Sequence, residues 1–184
     1  IKRSNRYEKK KSNIRQMELI GKIENRKIYY IQIRNNLKWI KAVPKRVWIV
    51  FTIANEEDEE LIPKIVKECL DRNVSYSCSA GNYAKMTEEF FDEEIAWRGV
   101  KQEMKTKKEF DYNFSPVTTA HKNFGEGFWF ATTLANDDKF DIDKVICLDF
   151  TRKKVKKNLK NLIHKINRGW LPSNEQFKNA EYDK

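Results

Sequence analysis

Between Arg46 and Asn55 the chain reads Val-Trp-Ile-Val-Phe-Thr-Ile-Ala, apolar at every position but Thr52. Charged residues make up 35% of the sequence, against about 25% in an average domain. In so charged a chain, an apolar run without polar alternation belongs where both faces are covered, in a central strand with helices above and below the sheet. Three later segments also read as strands: Val74-Ser-Tyr-Ser-Cys-Ser-Ala80 closed by Gly81, Ser115-Pro-Val-Thr-Thr-Ala-His121, and Lys144-Val-Ile-Cys-Leu-Asp-Phe150.

Helical signals lie between them. Asn55 stands before Glu56, Glu57, Asp58, Glu59 and Glu60, whose carboxylates suit the positive end of a helix, and Pro63 fits a first turn. Leu61, Ile62, Ile65, Val66, Cys69 and Leu70 then form a stripe at helical spacing, and Asn73 ends it. A second helix follows Gly81 with Met86, Phe90, Phe91, Ile95 and Trp97 on one side, and a third starts near Asn123. Residues 99–114, polar and rich in lysine, read as a loop. Val155, Leu159, Leu162, Ile163 and Ile166 make a last amphipathic helix that docks on the sheet, with lysines outward and Gly169 as its stop. Strands alternating with helices predict an α/β fold: a small doubly wound, mostly parallel four-stranded sheet with helices on both faces.

The N-terminal part differs. Residues 1–16 are polar and basic and read as a flexible arm. Residues 17–43 hold three short β-rich segments separated by Glu24-Asn25-Arg26 and Asn35-Asn36, which predict an antiparallel β ribbon attached to the α/β domain. The predicted organisation is arm 1–16, ribbon 17–43, α/β domain 44–169 and tail 170–184.

Net charge by segment is +12 over residues 1–50, −7 over 51–100, −2 over 101–150 and +7 over 151–184. Basic flanks around an acidic middle suit a polyanionic partner. No apolar run approaches the ~18 residues of a membrane span, and no signal-peptide core is visible, so a cytoplasmic protein is expected. Cys69, Cys78 and Cys147 lie inside apolar segments and read as buried thiols. None has a second ligand at zinc spacing, so neither a metal nor a cofactor is expected.

Ligands of doubly wound sheets gather at the carboxyl ends of the strands. That edge would carry Thr52, Asn55, Ser79, Gly81, Asn82, Thr119, His121, Asp149 and Thr151. His121, Lys122, Ser79, Asn82 and Asp149 are the candidates for binding an anion or nucleotide there. Asn123 and Glu126 have the spacing of a capping box, in which each side chain satisfies a backbone donor of the helix start. Gly125 and Gly127 cost about 1 kcal/mol each inside a helix, which a close helix-to-sheet approach or a ligand would offset. No Gly-x-Gly-x-x-Gly, Walker or Gly-x-Ser-x-Gly pattern occurs, and catalytic residues are not assignable. For nucleic acid the candidates are Tyr30, Arg34, Lys38, Trp39, Lys153 and Lys157, aromatics to stack on bases and cations to meet phosphates.

The order of Val74-Ser-Tyr-Ser-Cys-Ser-Ala-Gly81, Val117-Thr-Thr-Ala-His121, Glu126 and Phe128-Trp-Phe130 resembles an uncharacterised bacterial family of small α/β domains. Its members carry Thr-Thr-x-His at a strand end, then a helix with an acidic residue and a Trp-Phe pair. The resemblance spans about residues 44–166 and implies the fold; the family has no established activity to transfer. The expectation is a non-catalytic binding or regulatory protein for a protein or nucleic-acid partner, an accessory component of a bacterial defence or toxin-immunity system. The alternative is a small enzyme or sensor that binds a nucleotide or other anion around His121.

Overall fold

The computed structural model describes residues 17–33, 38–151, 153 and 155–178. The predicted arm 1–16, Arg34 and the end of the tail lie outside the described residues. Six strands form one sheet: β1 (Glu18–Ile23), β2 (Arg26–Gln32), β3 (Ile49–Ile53), β4 (Tyr76–Ala80), β5 (Val117–His121) and β6 (Lys144–Asp149), in the order β1-β2-β6-β3-β4-β5. Every neighbouring pair is parallel except β1 with β2. The α/β class is as expected, and the strand count is six instead of four. Both ribbon strands belong to the sheet, because β2 pairs along its whole length with β6, Lys27 opposite Lys144 through Gln32 opposite Asp149.

Side-chain alternation divides the core into two layers. On one face Val50, Ile146, Leu148 and Ile31 are covered by α1 (Ile62–Asp71) and α2 (Ala84–Thr106). On the other, Ile49, Phe51, Cys78, Val145 and Cys147 are covered by α3 (Phe124–Thr133) and α4 (Val155–Ile166). The β3 run is buried on both sides for this reason, and Phe51 sets its ring 5.4 Å from Phe128 and 5.8 Å from Phe124. The chain moves outward through β3, β4 and β5, then α3 carries it back under the sheet to β6, so the switch point lies between β3 and β6. Gly21 of β1 makes room for α4: a Cβ there would stand 3.0 Å from Ile163. The amphipathic last helix therefore docks, as its spacing predicts.

Two local expectations are corrected. The described part of the third ribbon segment is no strand, since Lys38–Ala42 is a 3-10 helix, with Trp39 and Val43 buried four residues apart. Residues 99–106 are no loop, since α2 continues to Thr106 and closes on Lys107, whose φ of 57° is left-handed. Gly99 is a packing site within this helix: an added Cβ would meet the Tyr112 hydroxyl at 2.7 Å and Phe110 at 3.0 Å. The tail adds a short helix, α5 (Asn174–Lys178). Among the described residues no helix is long and apolar enough to cross a membrane.

Candidate functional site

Thr119 and His121 are two residues apart on β5 and so point to the same face, under α3. His121 is 5% exposed, and its Nδ1 lies 2.8 Å from Oε2 of Glu126, itself 2% exposed. Nε2 lies 3.1 Å from the Thr119 hydroxyl, which also reaches the Ser77 carbonyl at 3.3 Å. The Phe130 ring covers the imidazole at 4.8 Å between centroids. Both ring nitrogens are thus committed inside the protein.

The predicted capping box is half present. Asn123 caps α3, its Oδ1 accepting from the Glu126 N–H at 3.0 Å, but the Glu126 carboxylate does not return the bond to the cap; it turns inward to His121. Gly127 shows why the helix tolerates glycine here. A Cβ at Gly127 would stand 2.7 Å from the Cβ of His121 and 3.2 Å from that of Ala80, so its absence lets α3 sit directly on β4 and β5. Close helix-to-sheet approach offsets the helix cost of Gly127.

Asp149 ends β6 in the same cross-strand row, Gln32, Asp149, Ile53, Ala80, His121. Three strand spacings, about 14 Å, separate it from His121. Its Oδ1 accepts from the Thr151 N–H and hydroxyl, both at 2.8 Å, and its Oδ2 accepts from the Tyr30 hydroxyl at 2.7 Å. Burial raises the Asp149 pKa against these donors, and burial together with the Asp149 carboxylate raises that of Tyr30. Ser79 faces the opposite side of the sheet, where it accepts from the Thr52 hydroxyl at 2.8 Å. Asn82 and Lys122 are exposed beside their strand ends.

The carboxyl edge therefore holds three separate hydrogen-bonded groups, Thr119 with His121 and Glu126, Asp149 with Tyr30 and Thr151, and Thr52 with Ser79, and does not join them into one constellation. Neither Ser79 nor Asp149 reaches His121, so these residues do not assemble a serine or aspartate nucleophile with a histidine base. Burial pushes the Cys78 thiol up to about 12 and raises Cys69 and Cys147 as well, so no thiol is poised as a nucleophile. Among the described residues no group of three or more His, Cys, Asp or Glu could hold a metal ion.

Of the nucleic-acid candidates, the aromatics are corrected. Tyr30 and Trp39 are buried and offer no face to a base. Their alternation with cations reflects a strand and a 3-10 helix that turn the rings into the core. Arg34 and the Lys38 side chain lie outside the described residues. Lys153 and Lys157 are exposed at the start of α4; the Lys153 backbone N–H donates to the Thr151 hydroxyl at 3.3 Å, and neither ammonium group has a hydrogen bond or ion pair among the described residues.

Sequence reasoning missed a cavity of about 690 Å³ at the opposite, amino-terminal edge of the sheet, lined by Arg46, Val47, Arg98, Phe114, Lys139 and Phe140. Arg98 there is bound to Asp71 and Glu94, and the Lys139 ammonium sits 4.1 Å from the Phe114 ring centre. Val47 has φ 57°, a left-handed conformation that a β-branched residue adopts only at a cost. No sequence signal marks this place, because the cavity arises where four strand-leading loops meet. Neither it nor the clefts beside Glu56 and Trp170 is lined by Thr119, His121 or Glu126.

Fold and site together define a small doubly wound α/β domain with a buried His-Glu pair locking its last crossover helix. The chain belongs to a family described as a domain of unknown function (DUF7684), whose model matches residues 28–166. The match begins within β2, not near residue 44, in keeping with β2 being a full member of the sheet. No curated protein and no solved structure matches the chain.

Proposed function

We propose that this protein is a non-catalytic binding protein that holds a nucleic-acid backbone on the basic rim where β6 ends and α4 begins. One observation carries the reading. Helix α4 has no acidic residue in its first turn, and Lys153, Lys156 and Lys157 crowd the end where its own dipole is positive. Each misplaced cation costs the fold about 0.3–1 kcal/mol. Lys156 is tied to Glu18 at 2.9 Å, but Lys153 and Lys157 have no such compensation among the described residues. A polyanion laid across this end would supply it. Because Tyr30 and Trp39 are buried, the contact expected is with phosphates and is insensitive to base sequence. In the cell, such a protein would act as an accessory component of whatever system supplies that nucleic acid.

Fluorescence anisotropy with a labelled oligonucleotide of arbitrary sequence, read across a salt series, tests this. Wild type should bind at low salt and weaken steeply as salt rises; Lys153→Glu with Lys157→Glu should bind more weakly and reduce the log–log salt slope by about one per lysine. Absence of binding at low salt would end the nucleic-acid reading, and binding to polyglutamate alone would move it to an acidic protein.

A further inference from the structure

The cavity at the amino-terminal edge of the sheet is built more firmly than a gap between loops requires. The loop leading into β3 is stitched to the loop leading into β4. Arg72 Nη1 donates to the Val43 carbonyl at 3.3 Å and Asn73 Nδ2 to the Lys45 carbonyl at 3.1 Å. Trp48 Nε1 donates to the Arg72 carbonyl at 3.0 Å, and the Ser75 N–H to the Trp48 carbonyl at 2.9 Å. Between these bonds Val47 and Asn73, both lining the cavity, are held left-handed at φ 57° and 48°. Such backbone conformations persist only where the surroundings over-determine them. The facing wall is fixed as well. Gly99 lets the Phe110–Tyr112 turn close on α2, with the two rings edge to face at 4.7 Å. Lys139 joins the last two loops, its N–H donating to Asp137 Oδ1 at 2.9 Å and its ammonium to the Asn113 carbonyl at 2.5 Å. Two kinds of group remain unused inside these walls. Phe114 is 76% exposed and Phe140 51%, and neither ring belongs to either core layer. Arg98 is held by Asp71 and Glu94, but the Arg46 guanidinium has no hydrogen bond or ion pair among the described residues.

We propose that this cavity binds a small aromatic anion, a molecule of one or two fused rings that carries a single carboxylate, sulfonate or phosphate group. The Phe114 and Phe140 rings offer an apolar surface on which an aromatic body packs edge to face or offset. The planar guanidinium of Arg46 suits the acid group, which it can meet with two parallel N–H donors. A cationic ligand would be repelled by Arg46, and a purely apolar one would leave it without a partner. The volume of about 690 Å³ lies inside the range of small-molecule sites, roughly 300–1,000 Å³. Because the loops are stitched together beforehand, binding orders little that is not already fixed. The site stands at the opposite end of the strands from the basic start of α4 and is independent of it.

Fluorescence titration of the full chain with anilinonaphthalene sulfonate, an aromatic anion, and with uncharged phenylnaphthylamine reads the two halves of the site separately. Wild type should bind the sulfonate saturably at one site. Arg46→Glu, a change on an exposed loop, should weaken the sulfonate tenfold or more and the uncharged probe less than twofold. Phe140→Ala should weaken both probes severalfold. Lys153→Glu with Lys157→Glu should leave both within twofold of wild type, which separates the cavity from the basic rim of α4. Circular dichroism of each variant guards against a loosened fold, which would raise the signal of both probes instead of lowering it. The proposal is overturned by a wild type without saturable binding, by an Arg46→Glu protein that takes the sulfonate as wild type does, or by sulfonate binding that disappears with the α4 lysines.

Discussion

His121→Ala should destabilise the protein by about 3–5 kcal/mol. The Glu126 carboxylate is buried and faces His121 at 2.8 Å. Removing one partner of a buried hydrogen-bonded pair strands the other without a partner where water cannot reach it. The Thr119 hydroxyl loses its Nε2 partner as well, though it keeps the Ser77 carbonyl. Urea unfolding should show the midpoint falling with little change in slope. Combining His121→Ala with Glu126→Ala should cost clearly less than the two single changes added together, because the second change removes the stranded acid. Strict additivity would mean that the two side chains do not act as a pair.

Gly127→Ala should cost at the upper end of the ~1–3 kcal/mol typical of overpacking, despite alanine's better helix propensity. The new methyl would sit 2.7 Å from the Cβ of His121 and 3.2 Å from that of Ala80, atoms fixed to strand backbones that cannot swing aside. Gly125→Ala is the control. Its nearest neighbours are Asn123 Oδ1 at 3.4 Å and Trp170 at 3.5 Å, so little has to move, and helix propensity should make it neutral or slightly stabilising. Thermal unfolding should therefore move clearly downward for Gly127→Ala and stay level or rise slightly for Gly125→Ala; equal shifts would contradict the close-packing explanation of Gly127.

These two residues also show where a sequence is readable and where it is not. The β3 run and the stripes of α1 and α4 are legible because burial on a face imposes a period, and a period is local. Pairing between β2 and β6 is not local: Tyr30 meets Asp149 across 119 positions, and nothing in Arg26–Gln32 specifies a parallel neighbour so far away. The need for glycine at position 99 is hidden for the same reason, since the Tyr112 hydroxyl that fills the space of its missing side chain belongs to a later turn. At the site, the Asn123 cap is legible at three-residue spacing. Glu126 is not, because cap and histidine compete for one carboxylate and the depth of burial under Phe130 decides between them. Tyr30 and Trp39 are misassigned to a surface because an aromatic beside a lysine looks alike whether the ring or the cation faces inward.

The central claim is a division of labour, with His121 locking the fold and the start of α4 making the contact. Oligonucleotide affinity measured in one low-salt buffer for His121→Asn and for Lys153→Glu with Lys157→Glu, both kept well below their melting temperatures, tests it directly. Asparagine retains a donor for Glu126, so the histidine variant should stay folded and bind within about twofold of wild type, while the lysine variant loses most of its affinity. A folded His121→Asn protein that no longer binds, beside a lysine variant that binds as wild type does, would contradict the account and return the function to His121.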